Sequence, residues 1–542
     1  FVQIFYYFLL LLIFPHCSHI KSVVAVELVV EMRISPAIVS ALKAGTLVPA
    51  PPMPIQVPAY EREDLKAGIV HVGMGNFHRG HMAAYMDDLF DKGEGLDYGI
   101  VGASLYSPRR RDALEPQGWL QCLVQRDGES AQCRVLGSMM DYLPVDSESG
   151  HPELQKMLSK PDIKIVSLTI TEGGYFLDPA SGKFDDKHPD MQHDAKNFDT
   201  PKTVFGMILK ALKLRREAGV KPFTVLSCDN VMHNGDVVKQ VLEGLAKMSD
   251  PELASWMGEH VTCPNGMVDR IVPATTDAER KYLQDTFGVD DEFPVFCEPF
   301  TQWVIEDNFC NGRPALEKVG VQFVPDVTPY ETMKLRILNG GHASLCYPSA
   351  LLDVEYVHNS MEHPTIGPFL DCLEKTEMIP AVPPVPDTDL LEYWKIIAGR
   401  FANPTLCDTI ERNSNNGSDR QTKFIIPIIK DNLEAGRPVD GLAMVSAMWC
   451  RFCRGTTESG KKCGENDTLW ERLNKLALDA PKNPQGWLDQ TDIYGSVGQN
   501  PVFQEAFAKA VKMIDEKGVE GALEEYIAQS SKAAAVNAAA AA

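Results

Sequence analysis

Glu331, Lys334, Asn339 and His342 have the types and spacing of an acid–base site. A helix advancing about 100° per residue puts all of them on one arc about 140° wide, with Leu335 and Leu338 on the same side. Apolar carbon beside a lysine disfavours its ammonium form, which lets the amine take a proton from a substrate. A carboxamide and an imidazole nearby are groups that hold an oxygen on which charge develops. The alternative is a solvated polar face with an ordinary lysine. Gly340 and Gly341 weigh against it, because each costs about 1 kcal/mol in a helix interior and points to a group that approaches the backbone. The helix is expected from Thr328 to about Tyr347, with Thr328 as its cap, Pro329 in its first turn and Glu331 three residues on.

A helix of this kind needs a framework, and the first half of the chain reads as one. Residues 68–81 form a short strand, a glycine turn and the opening of a helix. Gly73 and Gly75 sit where a Rossmann fold lets backbone amides meet a pyrophosphate, although His78 replaces the third glycine of that fingerprint. A second strand is expected near 100–106. Dinucleotide folds commonly carry an acid there for the ribose hydroxyls. This chain has Ser107, Pro108 and Arg109 to Arg111, with Asp112 arriving late. The arginines suit either a 2′-phosphate or the start of a solvated helix. Further strands are expected at 162–170 and 223–227, with a helix at 203–218 between them. The last strand runs into Asp229 and Asn230, at the carboxyl end where such sheets bind ligands.

From residue 328 onward the apolar patterns are helical, as at 393–398, 424–434 and 442–449, and no alternation persists past about Pro325. The fold class is therefore an α/β N-terminal Rossmann-like domain (56–327) followed by a mostly α-helical C-terminal domain (328–532). Residues 1–55 are set apart as an apolar extension and proline-rich lead-in, and 533–542 as a frayed, alanine-rich tail. The apolar run at 1–14 is shorter than the ~20 residues of a membrane-spanning helix and has the length of a signal-peptide core. No basic segment precedes it, and Met32 offers an internal start.

The net charge of −22, from 52 basic and 74 acidic residues, argues against nucleic acid or an anionic membrane as the main partner. The 13 cysteines show no short repeating spacing and suit reduced thiols in a reducing compartment. Cys450, Cys453 and Cys463 cluster without a fourth ligand nearby, so no metal site is expected.

The Lys334, Asn339 and His342 spacing, with Glu331 upstream, resembles the signature of the polyol-specific long-chain dehydrogenases, the mannitol 2-dehydrogenase family. The turn carrying Gly73, Gly75, Phe77, His78, Arg79 and His81 is similar to that family's cofactor turn. The segments 171–175, 227–230, 267–273, 298–307 and 408–420 resemble family segments in family order. The resemblance implies zinc-independent oxidation of a secondary alcohol of an open-chain polyol with hydride transfer to NAD. D-mannitol to D-fructose and the reverse is the leading reaction. Fructuronate (hexuronate) reduction and D-arabinitol 4-dehydrogenation are alternatives on the same scaffold.

It further implies Lys334 as the base, Asn230 and Asn339 as amide donors to the reacting oxygen, and His342 as an orienting group. Glu331 and Asp269 are implied in proton traffic or lysine tuning. Gly73, Gly75, Asn76, Phe77, His78, Arg79 and Glu172 are the cofactor candidates, and Arg412 and Arg420 the substrate candidates. Asn413 to Asn416 depart from the family pattern, which bears on substrate preference. NAD is expected, with NADP left open by the arginine run. A cytoplasmic monomer acting on a small polyol or ketose is expected, with a targeting role for the N-terminal stretch left open. The contrasting class is a sensor of cofactor or polyol without turnover, against which the intact Lys334, Asn230, Asn339 and His342 speak.

Overall fold

The computed structural model describes residues 32–47, 53–128, 130–178 and 181–541, the side chains as far as 532. The apolar extension 1–31 and residues 48–52 of the proline-rich lead-in lie outside the described residues. The chain divides into two compact units, Phe1–Phe323 and Val324–Ala542.

The first unit is built on five parallel strands: β1 (Ala67–Val72), β2 (Gly99–Ala103), β3 (Met139–Tyr142), β4 (Ile165–Leu168) and β5 (Thr224–Ser227). Their order across the sheet is β3-β2-β1-β4-β5. This is the Rossmann order, in which the chain reverses direction across the sheet between β1 and β4 and opens a ligand crevice there. The strands read as continuous apolar runs because both faces are covered. Val70, Val101, Val166 and Val225 pack against Phe205, Ile208 and Leu212 of the helix Val204–Glu217. Ile69, Ile100, Ile165 and Leu226 point the other way, onto Met86, Leu89 and Phe90 of the helix Met82–Asp91.

Among the described residues three smaller sheets accompany this layer, none of them read from the sequence: the smallest pairs Met32–Arg33 with Val289–Asp290, and two are larger. One combines the hairpin Gln121–Asp127 and Ser130–Leu136 with Val295–Cys297 and Ile55–Gln56. The other joins Gly266–Asp269, Gln302–Glu306 and Gln322–Val324.

The second unit is helical. Its central element begins as α2 (Thr328–Met333), passes through a π-helical segment (Lys334–Asn339) and ends as α3 (Gly340–Leu351). The expected single α-helix is thus corrected: one wider turn is inserted where the chemistry was predicted. The cap is also shifted. Thr328 is already helical, and the Asp326 carboxylate accepts its amide at 2.9 Å. α3 is surrounded by the helices Ile366–Leu373, Ile410–Ser414 and Asp440–Phe452. The close approach anticipated at the two glycines is present. A Cβ on Gly341 would stand 3.1 Å from Glu374 Oε1 and 3.1 Å from the Phe401 ring, and one on Gly340 would stand 2.6 Å from Met378 Cε.

The last helix, Pro501–Ala541, kinks at Gly518 and continues through the alanine-rich run instead of fraying, in line with alanine's high helix propensity. Among the described residues, no helix is long and apolar enough to cross a membrane.

Candidate active site

The predicted residues fall into two groups, one in each unit. In the first unit β1 delivers the glycine turn. Gly73 has φ +99°, and a Cβ there would stand 2.0 Å from the Thr169 carbonyl oxygen, so only glycine fits. Around Gly75 the space is open: a Cβ placed there would have no atom nearer than 3.8 Å. The turn therefore presents bare backbone at the crevice and fits a dinucleotide pyrophosphate. The helix α1 (Asn76–Gly80) follows. Asn76 Nδ2 donates to the Pro273 carbonyl at 3.1 Å and to Thr275 Oγ1 at 3.3 Å.

His78 and Arg79 turn inward. Arg79 is fully buried and donates to Asn76 Oδ1 (2.8 Å), Gln121 Oε1 (3.3 Å) and the Phe293 carbonyl. Burial pulls its guanidinium down to about 10. The His78 ring stacks on His71 at 3.4 Å, and neither of its nitrogens has a hydrogen-bond partner within the protein. Burial holds His71 down at about 3; burial and the neighbouring His71 hold His78 well below its ordinary value. Beneath the turn, His71 bonds Ser167 Oγ (2.8 Å) and Thr169 Oγ1 (2.9 Å), tying β1 to β4.

Past β4, Glu172 lies exposed on the short 3-10 turn Glu172–Tyr175. The preceding Thr171 has φ +65°, an outlier for a β-branched residue. Asp229, just past β5, holds this segment. Its carboxylate accepts the Ile170 and Thr171 amides, both at 2.9 Å, and the Tyr175 hydroxyl at 2.6 Å. Asp229 is thus a structural partner, and Asn230 beside it is exposed. Buried Asn234 ties this strand end to the strand of Asp269: its Nδ2 donates to the Asp229 carbonyl (3.1 Å) and the Gly266 carbonyl (2.8 Å), and its Oδ1 accepts the Gly266 amide (2.9 Å). Asp269 ends the strand Gly266–Asp269 and is 4% exposed. The neighbouring Arg270 spends its donors on the carbonyls of Glu298 and Gly80.

In the second unit Glu331, Lys334 and His342 are all buried, at 4%, 7% and 7% exposure. Asn339 is half-buried, and its Oδ1 has no partner within the protein. His342 lies against the Phe401 ring at 4.1 Å, and its Nε2 is 3.6 Å from Asp408 Oδ2, beyond hydrogen-bond reach. Burial pushes this imidazole down to about 3; Arg412, Arg420 and Arg400 lower it further, and Asp408 opposes them. His342 is therefore neutral near pH 7, with a free ring nitrogen. Arg412 clasps Asp408 through contacts of 2.6, 2.7 and 2.8 Å, and Asn413 Nδ2 adds a bond of 3.0 Å to the same carboxylate. Arg420 Nε donates to the Asn415 carbonyl at 3.1 Å. The structure thus gathers His342, Arg412 and Arg420 in one electrostatic neighbourhood and adds Asp408 and Arg400, which sequence reasoning had not selected. Asp408 opens the segment 408–420 that resembles the family's, but Arg400 carried no signal.

The described cysteines are free thiols. Among the described residues no group of three or more His, Cys, Asp or Glu is placed to hold a metal ion.

Comparisons with known proteins agree with these two halves. Residues 67–318 match the family model described as the mannitol dehydrogenase Rossmann domain, and residues 326–515 that of the mannitol dehydrogenase C-terminal domain. A mannitol 2-dehydrogenase of Cereibacter sphaeroides is 50% identical over 473 residues, covering 87% of this chain and 98% of that protein. One of Pyricularia oryzae is 38% identical over 483 residues, covering 87% and 95%. Among solved structures, the Pseudomonas fluorescens mannitol 2-dehydrogenase in ternary complex with NAD and D-mannitol superposes with a TM-score of 0.78. It is 40% identical, with 92% of this chain and 99% of that one covered. A D-sorbitol dehydrogenase in substrate-free form reaches 0.82 at 34% identity, covering 91% and 100%.

Proposed function

Because this chain belongs to the mannitol dehydrogenase family, we propose that it oxidises D-mannitol to D-fructose with NAD and catalyses the reverse reduction. The carrying observation is Lys334, buried at the start of a π-helical turn that ends in Asn339, with neutral His342 on the helix that follows. NAD, when bound, supplies the hydride acceptor.

The chain's own groups do the rest. Lys334 in its neutral form takes the proton from the carbinol hydroxyl. The carboxamide of Asn339 donates to that oxygen as negative charge develops on it, which replaces a Lewis acid. The unpartnered Asn339 amide supports this role, since its oxygen and nitrogen are interchangeable by a flip. His342 offers its free nitrogen to a neighbouring hydroxyl. Glu331, a buried carboxyl three residues before Lys334, tunes the lysine or passes its proton on. Gly73, Gly75 and Asn76 shape the nucleotide turn, His78 and Arg79 brace it from beneath, and Glu172 lies on the exposed segment past β4. Arg412, held by Asp408, and Arg420 approach the sugar chain. The protein acts as a monomer in the cytoplasm; the free thiols of the described cysteines support the reducing compartment.

The test is NADH-linked reduction of D-fructose, D-fructuronate and D-xylulose, with D-mannitol oxidation in reverse. Fructose and mannitol turnover, lost about 10²–10⁴-fold in Lys334→Ala, is the expected result. Preference for fructuronate would move the assignment to hexuronate reduction. Ligand binding that survives Lys334→Ala, with no turnover in the wild type, would indicate a sensor.

A further inference from the structure

Resting on the NAD reading above, we propose that Arg109 and Arg110 form a subsite for a 2′-phosphate, so that this enzyme takes NADP as well as NAD. In a sheet of this order the adenosine ribose lies beyond the carboxyl end of β2. A carboxylate there pairs with the ribose hydroxyls and repels a phosphate, whereas an arginine accommodates the phosphate.

β2 ends at Ala103, and residues 104–111 contain no carboxylate. The first acid, Asp112, is engaged by Arg111 at 3.3 Å. Arg111 is itself committed: Nη2 lies 2.8 Å from Glu115, and Nε donates to the Tyr142 carbonyl at 3.3 Å. The other two guanidiniums are not committed in this way. Among the described residues neither Arg109 nor Arg110 makes an ion pair. Arg109 is exposed, with its guanidinium over the Phe293 ring at 5.5 Å. The same ring carries Arg79 of α1 at 5.7 Å, which places Arg109 beside the helix that follows the glycine turn. Arg110 is half-buried, its Nε has no hydrogen-bond partner, and its charge acts on the Tyr142 hydroxyl and on Arg79.

Positive charge is therefore gathered just past β1 and β2 in a chain whose net charge is −22. Arg79 already faces the Asp291 carboxylate, whereas among the described residues Arg109 and Arg110 have no carboxylate partner, and a phosphate dianion matches the forked geometry of two guanidiniums. A 2′-hydroxyl asks nothing of either arginine, so NAD is still accepted.

The experiment is equilibrium titration of the full chain with NADH and NADPH, followed by nicotinamide fluorescence. Displacement by adenosine 2′,5′-bisphosphate is compared with displacement by ADP. The expected result is NADPH affinity within about tenfold of NADH, and preferential displacement by the 2′-phosphorylated nucleotide. The double variant Arg109→Ala/Arg110→Ala should weaken NADPH at least about tenfold and NADH by less than about threefold. Ser107→Asp, which adds a carboxylate at an exposed position, should act in the same direction and carries the test if the double variant does not fold. NADPH bound over about a hundredfold more weakly than NADH by the wild type, or variants that weaken both alike, would overturn the subsite. NADH binding without NADPH binding sinks only this inference. Failure of NADH to bind sinks the NAD reading with it.

Discussion

The two adjacent glycines of α3 meet different neighbours, and substituting each by alanine separates packing from propensity. A Cβ on Gly341 would meet Glu374 Oε1 and Phe401 Cε2 at 3.1 Å and Phe401 Cζ at 3.4 Å. Both neighbours are buried, at 0% and 2% exposure, so neither side chain can swing clear. Overpacking of this kind costs about 1–3 kcal/mol, and the gain in helix propensity returns about 1 kcal/mol. The net expectation for Gly341→Ala is a loss of about 1–2 kcal/mol. Gly340→Ala clashes with Met378 Cε at 2.6 Å, and although Met378 is also buried, this is the far end of an unbranched side chain that re-packs at little cost, so stability should change by less than about 1 kcal/mol. Catalysis should separate them further. Phe401 is the surface on which the His342 ring rests at 4.1 Å, so displacing it moves a group that orients substrate. A shift of a few tenths of an ångström should lower kcat/KM for D-mannitol about tenfold in Gly341→Ala and leave Gly340→Ala within about threefold. Urea denaturation and steady-state kinetics on both variants provide the measurement. Equal effects at the two positions, or a larger effect at Gly340, would refute the packing account.

The depressed imidazoles of His71 and His342 set an acid limit. Both lie near 3 against an ordinary value of 6.5, so below about pH 6.5 the unfolded chain binds protons that the folded chain refuses, and stability falls with pH. Each contributes up to about 1.4 kcal/mol per pH unit in that window. Asp87 and Glu377, raised by burial to about 6 and about 7, work in the opposite sense, so the signal is the difference between wild type and His342→Gln. The variant should lose less stability between pH 6.5 and 4.5 in urea titrations; parallel curves would count against the buried neutral imidazole. Asp408→Asn releases Arg412 and removes the carboxylate facing His342, so KM for D-mannitol should rise about tenfold with kcat nearly held, and a pure kcat effect would disprove the positioning role. Gly73→Ala puts a Cβ 2.0 Å from a backbone oxygen at φ +99°, and should cost more than about 4 kcal/mol or abolish NADH binding; intact binding would contradict the turn geometry.

What could be read from the sequence depended on whether a signal was local. The turn at Gly73 and Gly75 and the apolar strands around it are carried by neighbouring residues and are found where they were expected, and Glu331, Lys334 and His342 are buried along the expected helical stretch. The hairpin Gln121–Asp127 and Ser130–Leu136 carries a local signal that was passed over, the Asp127-Gly128 turn between its strands, whereas its pairing with Val295–Cys297 and Ile55–Gln56 joins distant segments that no local pattern connects. Arg79 read as ligand-facing because it sits in a nucleotide-turn motif. Its inward course is decided by the Phe293 carbonyl and Gln121, which no local pattern connects to it. Arg400 was invisible for the same reason: its relation to His342 exists only after the helices have packed.

The spacing of Lys334 and Asn339 shows why an α-helical wheel was too simple a ruler. Five residues apart on an α-helix, they diverge by about 140°, the weakest feature of the predicted arc. The structure closes this interval with a π-helical segment whose first residue is Lys334 and whose last is Asn339. Hydrogen bonds from i to i+5 make residues five apart near neighbours along the axis, much as residues four apart are on an α-helix. The inserted turn therefore brings the amine and the carboxamide onto one face. Two further π-helical segments, Glu374–Met378 and Gln421–Ile425, pack against it in the same unit. In this arrangement Met378 and Glu374 reach the bare backbone of Gly340 and Gly341 immediately after the wide turn. Gly341, which looked costly in an α-helix, is thus a condition for packing this one.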